Sequence, residues 1–394
     1  MGGINVKLKI ITFVVILVAL VSFAVPQMDW GRVYQMPGIQ EIFYVKATND
    51  GFYAIGSSNE TGNNENAIAL KFDKFGNLVS KSEFGGAYSD WALWAFEDSR
   101  KDMVLVGATN SFSDDFDYYL AKVSPVYWET YIPKLGNDKA SAGVDVEDGY
   151  IIVGYAQDPY DKNNSNYKGY MVKIDKDAGN VIWYRWLSGA DTFKDVKPLG
   201  IEKVSDGFVI SGVVFDYDTG ISSLYVVKTD FEANEIWSKV FTGQSYGRAF
   251  EVKEFNDEYY VVGYTGDLNG AGFSDIYVVK FSWKGDLLWE KTFGQKGSDH
   301  GYSIKISKNG NMYVGGYITN PKTNNVDAVL LVYDKDGNEI YNKAIGGKGR
   351  DVVYSLDITE DGDIYMVGYS DSKDFGADLS DVLIIKFSDI LMHK

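Results

Sequence analysis

The sequence predicts an all-β fold: a seven-bladed β-propeller of four-stranded antiparallel blades, its ring closed by an N-terminal strand that completes the last blade. Three observations predict it. A short β-rich run ending in glycine recurs seven times, at Tyr53-Ala54-Ile55-Gly56, Val104-Leu105-Val106-Gly107, Ile151-Ile152-Val153-Gly154, Phe208-Val209-Ile210-Ser211-Gly212, Tyr260-Val261-Val262-Gly263, Tyr313-Val314-Gly315-Gly316 and Tyr365-Met366-Val367-Gly368. These glycines are 51, 47, 58, 51, 53 and 52 residues apart, and a period near 50 built of short strands is that of propeller blades. Tight-turn pairs precede most of the runs, and one repeat is divided between the two ends of the chain.

Each unit resolves into four strands, A to D from the axis outwards. Strand A alternates, as in Tyr302-Ser303-Ile304-Lys305-Ile306 and Tyr354-Ser355-Leu356-Asp357-Ile358. Asp-Gly or Asn-Gly then turns the chain at Asp50-Gly51, Asp148-Gly149, Asp206-Gly207, Asn309-Gly310 and Asp361-Gly362, since these residues accept the backbone a short hairpin loop requires. Strand B is the glycine-terminated run. A long polar loop leads to strand C, for example Leu224-Tyr225-Val226-Val227-Lys228. A second turn, clearest at Asp334-Lys335-Asp336-Gly337-Asn338, leads to strand D, such as Glu235-Ile236-Trp237-Ser238-Lys239-Val240-Phe241.

Strands A, B and C each occur seven times, but only six D strands follow the first strand A. The last unit stops at Val382-Leu383-Ile384-Ile385-Lys386-Phe387, and the missing strand D stands at the start, in Asp29-Trp30-Gly31-Arg32-Val33-Tyr34. Splitting one repeat closes a ring and hides edges that an open array would expose. Residues 28–388 therefore read as a single domain, where length alone allows two or three.

Residues 1–24 read as a signal peptide or an N-terminal anchor. Lys7 and Lys9 precede an apolar stretch from Ile10 to Val21, broken only by Thr12, and Ser22-Phe23-Ala24 supplies small residues before Pro26. The apolar core is shorter than the ~20 residues of a spanning helix. Either reading places the rest of the chain outside the cytoplasm.

The 394 residues include no cysteine and two histidines. Disulfides, thiolate nucleophiles and cysteine-ligated zinc are thereby excluded. His393 is penultimate, so an internal Ser-His-Asp triad could use only His300. The net charge of −17 argues against nucleic acid as a partner, which needs a basic face. No motif implies a cofactor, the chain is read as a monomer, and a membrane enters only through the N-terminal segment if uncleaved.

Trp183, Trp237 and Trp289 occupy matching D-strand positions, with Trp30 and Tyr341 equivalent. A large ring there fills the wedge between neighbouring blades; the alternative is an aromatic platform for sugars. The units resemble those of the secreted prokaryotic β-propeller repeat family, whose copies run from a glycine-rich turn and Asp through Asp-Gly, Gly-Tyr-Thr, Asp and Lys to Gly-Asn and Trp. The match is clearest from Phe293-Gly294-Gln295-Lys296-Gly297-Ser298-Asp299 through Val314-Gly315-Gly316-Tyr317 to Asp327. Another copy runs from Gly346-Gly347-Lys348-Gly349-Arg350-Asp351 to Val367-Gly368-Tyr369-Ser370 and Asp381. The resemblance covers nearly all of residues 28–388. It implies an extracytoplasmic location and, because the family has no common activity, transfers no catalytic residue.

Two further resemblances are weaker. The C–D turns look similar to the aspartate boxes of sialidases, most closely in Asp175-Lys176-Asp177-Ala178-Gly179-Asn180 before Trp183. Those enzymes need three arginines around a carboxylate, and of Arg32, Arg100, Arg185, Arg248 and Arg350 only the last two fall in loops on the expected binding face. The Gly-then-Trp pattern is similar to pyrroloquinoline-quinone dehydrogenase repeats, which typically form eight blades and often use a vicinal cysteine pair.

Function is expected where the D–A and B–C loops meet at the channel mouth, because the other turns are short and regular while the B–C loops all differ. Asp114, Asp115, Asp158, Asp161, Asp216, Asp218, Asp267, Asp371 and Asp374 lie in B–C loops and predict an acidic face. No segment offers a calcium-loop series; Asp334-Lys335-Asp336-Gly337-Asn338-Glu339 comes nearest, and a tight turn explains it, so no metal site is assigned. In the D–A loops Asp90, Asp299 and Asp351 align and read as acceptors of backbone N–H groups. Trp91, Arg248, His300 and Arg350 vary between copies, and with Tyr246 they are the candidate ligand-binding residues. His300 beside Asp299 could act as a general base, against the plainer reading of a solvated loop histidine. No catalytic constellation is complete. The leading reading is a non-enzymatic extracytoplasmic module binding a protein or glycan partner through its loops. The alternative is a glycan hydrolase or lyase with paired carboxylates at the channel mouth.

Overall fold

The computed structural model describes residues 26–60, 64–123, 128–133, 136–157, 166–187, 195–241, 246–266 and 273–388. Among them seven four-stranded antiparallel sheets follow one another, and in six the strand order along the sheet is the order in the chain. The seventh draws on both ends of the chain. Gln27–Tyr34 pairs with Asp381–Ser388, Gly31 opposite Ile385 and Tyr34 opposite Val382. The ring closes as the split repeat requires. The segment read as a signal or anchor lies outside the described residues, and among those described no helix is long and apolar enough to cross a membrane.

Strand A of blades 1 to 7 comprises Ile39–Thr48, Asp90–Glu97, Lys139–Val146, Asp195–Val204, Gly247–Phe255, His300–Ile306 and Asp351–Ile358. Strands B and C are buried almost throughout, with Tyr118, Tyr150, Tyr225, Tyr277 and Tyr313 among the largest enclosed side chains. The terminal lysine of strand C reaches back to the aspartate of the A–B turn: Lys71 to Asp50 at 2.7 Å, Lys173 to Asp148 at 2.7 Å and Lys228 to Asp206 at 2.9 Å. The repeated Asp-Gly thus serves twice, as a turn and as an ion-pair partner.

The D-strand tryptophans join neighbouring blades. Trp30, Trp128, Trp237 and Trp289 lie against the C–D turn glycines Gly76, Gly179, Gly285 and Gly337, where an added Cβ would come within 2.9–3.4 Å of the indole. Those glycines have φ between 70° and 81°, a left-handed backbone that disfavours a side chain as well. Asp334 accepts hydrogen bonds from the N–H groups of Asp336 and Asn338, both at 2.9 Å, so the turn itself occupies its oxygens.

Candidate functional site

Every strand A carries a β-bulge at the same place. Pairing with strand B slips between Ile42 and Tyr44, Ala92 and Trp94, Ala140 and Ala142, Pro198 and Gly200, Ala249 and Glu251, Gly301 and Ser303, and Val353 and Ser355. The residue skipped in each blade is Phe43, Leu93, Ser141, Leu199, Phe250, Tyr302 or Tyr354, and all seven line one central cavity. A bulge re-aims a side chain and bends the strand towards its partner. The consequence appears on strand B. A Cβ on Gly56, Gly107, Gly154, Gly212, Gly263, Gly316 or Gly368 would meet, at 1.7–2.3 Å, the carbonyl oxygen of the residue two before the bulge. The glycine that reveals the repeat in the sequence is therefore the counterpart of the bulge that builds the cavity.

The cavity encloses about 250 Å³. It runs from Tyr155 near the mouth to Tyr44, Trp94, Glu251, Ser303 and Ser355, which follow the bulges and form its floor. Tyr44 and Trp94 meet with ring centroids 4.4 Å apart. Two residues further along the same strands lies an ion-pair network. Lys46 pairs with Asp357 at 2.9 Å, Lys253 with Glu202 at 2.7 Å and Lys305 with Glu251 at 2.5 Å. Glu251 also accepts hydrogen bonds from the Ser303 hydroxyl at 2.7 Å and the Ile304 N–H at 2.9 Å. Burial pushes the Glu251 carboxyl up, but Lys305 and Lys253 outweigh it and hold the group below the ordinary carboxylate range. Burial acts likewise on Asp357 and is overcome by Lys46 and Lys305.

Two residues before the bulge, the same seven strands present Glu41, Trp91, Lys139, Lys197, Arg248, His300 and Val352 at the mouth. Blades 3, 4 and 5 contribute three adjacent cations. Lys139 lies 4.2 Å from the centre of the Trp91 ring and 5.0 Å from that of Phe116, and those two rings stack on each other. Burial and the neighbouring Lys197 ammonium both pull Lys139 below the usual lysine value. Lys197 faces Tyr167 at 4.4 Å and pairs with Asp195 at 3.0 Å. Arg248 is exposed, 5.8 Å from the Phe250 ring. Among the described residues neither Lys139 nor Arg248 has a carboxylate within ion-pair distance. Across the mouth, burial and then Glu65 raise the pKa of Glu41.

The structure brings four of the five predicted residues into one aromatic arc. His300 stacks on Tyr264 with centroids 3.8 Å apart, and Tyr246 approaches the same ring at 6.3 Å. Arg248 stands opposite Tyr264 in the sheet. Arg350 lies near the Tyr369 phenol, whose pKa burial raises and the guanidinium lowers. Trp91 stands apart in blade 2, where its indole N–H donates to Glu65 and its face supports Lys139. Tyr246 donates to the Phe273 carbonyl.

His300 is not a solvated loop residue. It sits on strand A, its Nε2 3.0 Å from the Ser274 hydroxyl and its Nδ1 3.3 Å from the Tyr302 hydroxyl. Burial, reinforced by Arg248, lowers its pKa to about 4, so the ring is neutral at neutral pH. Ser274 is 1% exposed, and the third partner is a phenol rather than a carboxylate, so this group is no nucleophilic triad. Asp299 instead accepts from the N–H groups of Gln295 and Thr319, and burial is the main cause of its pKa of about 6. Asp351 accepts from the Gly347 N–H at 2.8 Å and Asp90 from the Gly86 N–H at 2.9 Å, as their alignment implies.

Of the loop aspartates, Asp114, Asp115 and Asp218 are exposed. Asp158, Asp161 and Asp267 lie outside the described residues. Asp216, Asp371 and Asp374 accept loop N–H groups, from Asp218 at 2.9 Å, Arg350 at 2.6 Å and Lys348 at 2.8 Å. Among the described residues an aromatic arc, the three cations and Glu41 border the opening. Sequence reasoning missed Lys139, Lys197 and the bulge residues. Their one visible sign is a break in alternation, two inward residues in succession at Phe43-Tyr44, Leu93-Trp94 and Phe250-Glu251.

No protein-family model and no curated protein matches the chain. Among solved structures it is similar to Sqt1 from Chaetomium thermophilum, with 11% identity, a TM-score of 0.50, and coverage of 93% of this chain and 100% of that one. It is also similar to a puromycin hydrolase mutant complexed with PGG, at 13% identity and a TM-score of 0.55, covering 86% of this chain and 52% of that one. BamB from Moraxella catarrhalis aligns at 11% identity and a TM-score of 0.49, over 92% of this chain and 100% of its own. At such identities the likeness is one of fold alone.

Proposed function

We propose that this chain is a monomeric, extracytoplasmic binding module that holds a protein or glycan partner on its loop-rich face, anchored at the central cavity. One observation carries the reading. Among the described residues the mouth presents Lys139 and Arg248 beside half-buried aromatic rings and without a carboxylate at ion-pair distance, directly above an open, largely apolar cavity. A concave apolar site with a few convergent polar groups is the usual form of a binding pocket. The extracytoplasmic placement is supported by residues 1–24 and by the family resemblance.

Glycan hydrolysis fits the cavity poorly. That chemistry takes two carboxyl groups roughly 5–9.5 Å apart, one with a raised pKa. Glu251 is the one carboxylate lining the cavity, and its lysines keep it ionised. The test applies the full chain to cell-envelope extracts and to a glycan array. A retained partner that is lost with Arg248→Ala and weakened with Trp91→Ala supports the reading. Turnover of a retained glycan overturns it.

A further inference from the structure

We propose that the partner is a polypeptide segment whose one bulky, preferably aromatic, side chain enters the central cavity while carboxylates beside it meet Lys139, Lys197 and Arg248. This rests on the reading of the cavity as the anchor and adds the chemistry of what it holds.

Size is the first argument. Pockets for drug-sized ligands measure roughly 300–1,000 Å³, and this cavity measures about 250 Å³. It holds one large side chain, with the rest of the partner lying across the face. A buried aromatic anchor under a polar rim is the common form of a protein-binding hot spot.

Polarity is the second. Phe43, Leu93, Leu199, Phe250, Tyr302 and Tyr354 supply most of the wall. Glu251 and Ser303 already bond each other. A sugar ring seated there would leave several hydroxyls unpaired, each at a desolvation penalty. The Ser355 hydroxyl at the floor is 2% exposed and has no hydrogen-bond partner. Its oxygen is closed off from the cavity and offers an incoming group no hydrogen bond, so the wall selects an aromatic anchor by shape and apolarity.

Charge is the third. The chain as a whole carries −17, so its distant field repels anions, and attraction at the mouth must come from local cations. Three occur side by side on blades 3, 4 and 5, beside Tyr155 and Phe250 of the cavity lining. Among the described residues Lys139 is half-buried against rings, with a second ammonium and no carboxylate beside it. A carboxylate brought by the partner would replace the missing counter-charge.

The test pans a displayed random heptapeptide library on the immobilised full chain and, in parallel, on Ser141→Trp, which fills the cavity. Selected peptides are expected to share one aromatic residue with at least two Asp or Glu within two positions. A synthetic selected peptide is expected to lose tenfold or more in affinity on Ser141→Trp and on Lys139→Gln/Arg248→Gln, and to bind more weakly as salt rises. The second variant leaves the cavity intact and keeps the test valid should the tryptophan disturb folding. Absence of enrichment, selected peptides without carboxylates, or binding indifferent to both variants overturns the proposal. A glycan held by the wild type and lost with Ser141→Trp, in the absence of peptide binding, refutes the peptide while leaving the anchor site standing. Loss of every ligand class sinks both.

Discussion

Arg248 and Lys253 stand on the same strand of blade 5, one at the mouth of the channel and one at its floor, in surroundings that differ in kind. At the floor Lys46, Lys253 and Lys305 each lie within 2.9 Å of a carboxylate, and the ring of charges neutralises itself. At the mouth Lys139 and Arg248 face aromatic rings instead. Between the two levels lies the bulge, which shifts the alternation so that different residues of one strand face the axis above and below it. The floor is finished as a piece of structure. At the mouth, among the described residues, Lys139 and Arg248 have rings rather than carboxylates beside them.

This contrast can be broken most forcibly from below. Glu251→Gln leaves Lys305 buried without its partner, and removing one member of a buried pair costs about 3–5 kcal/mol. Urea unfolding should show that loss. Gly263→Ala attacks the bulge itself, because the new Cβ would stand 1.8 Å from the Arg248 carbonyl oxygen. Overpacking of this kind should destabilise by about 3 kcal/mol and distort the cavity, with thermal unfolding as the measure.

His300 offers a test by pH. Its folded pKa of about 4 lies below the ordinary 6.5, so the fold prefers the neutral ring. The stability this contributes is complete above pH 6.5 and is lost as pH falls towards 4. Between pH 6.5 and 5 the loss should reach about 2 kcal/mol. Asp299 works in the opposite direction, because its raised pKa of about 6 favours the protonated form as pH falls. The difference between wild type and His300→Gln across this range isolates the histidine, and a pH-independent difference would count against its burial as neutral imidazole. The smallest effect belongs to the mouth: Lys139→Gln should change unfolding free energy by no more than about 0.5 kcal/mol.

Much of this architecture was legible because the repeats announce it. The glycine period, the Asp-Gly turns and the stray strand around Trp30 gave blade number and closure without any tertiary information. Trp91, Arg248, His300 and Arg350 were visible as positions where the copies disagree. The bulge was not, since it is a slip in hydrogen-bond register and leaves only a doubled inward residue such as Phe250-Glu251 in the sequence. Without it Lys139 and Lys197 read as ordinary surface lysines at the start of a strand. The bonding of the loop aspartates was hidden for a related reason: composition counts charges, but Asp371 and Asp374 turn their oxygens to the N–H groups of Arg350 and Lys348.

A matched pair of substitutions tests the central claim, that the chain pairs Lys305 with a carboxylate at the floor and leaves Lys139 without one at the mouth. Unfolding free energies of Lys305→Met and Lys139→Met should be compared with that of the wild type at neutral pH. Lys305→Met should lose about 3 kcal/mol, because Glu251 is left short of its nearest counter-charge, and Lys139→Met should be neutral or slightly stabilising. Equal losses from the two would mean that Lys139 already has its partner within the chain, and the account of an open mouth would be wrong.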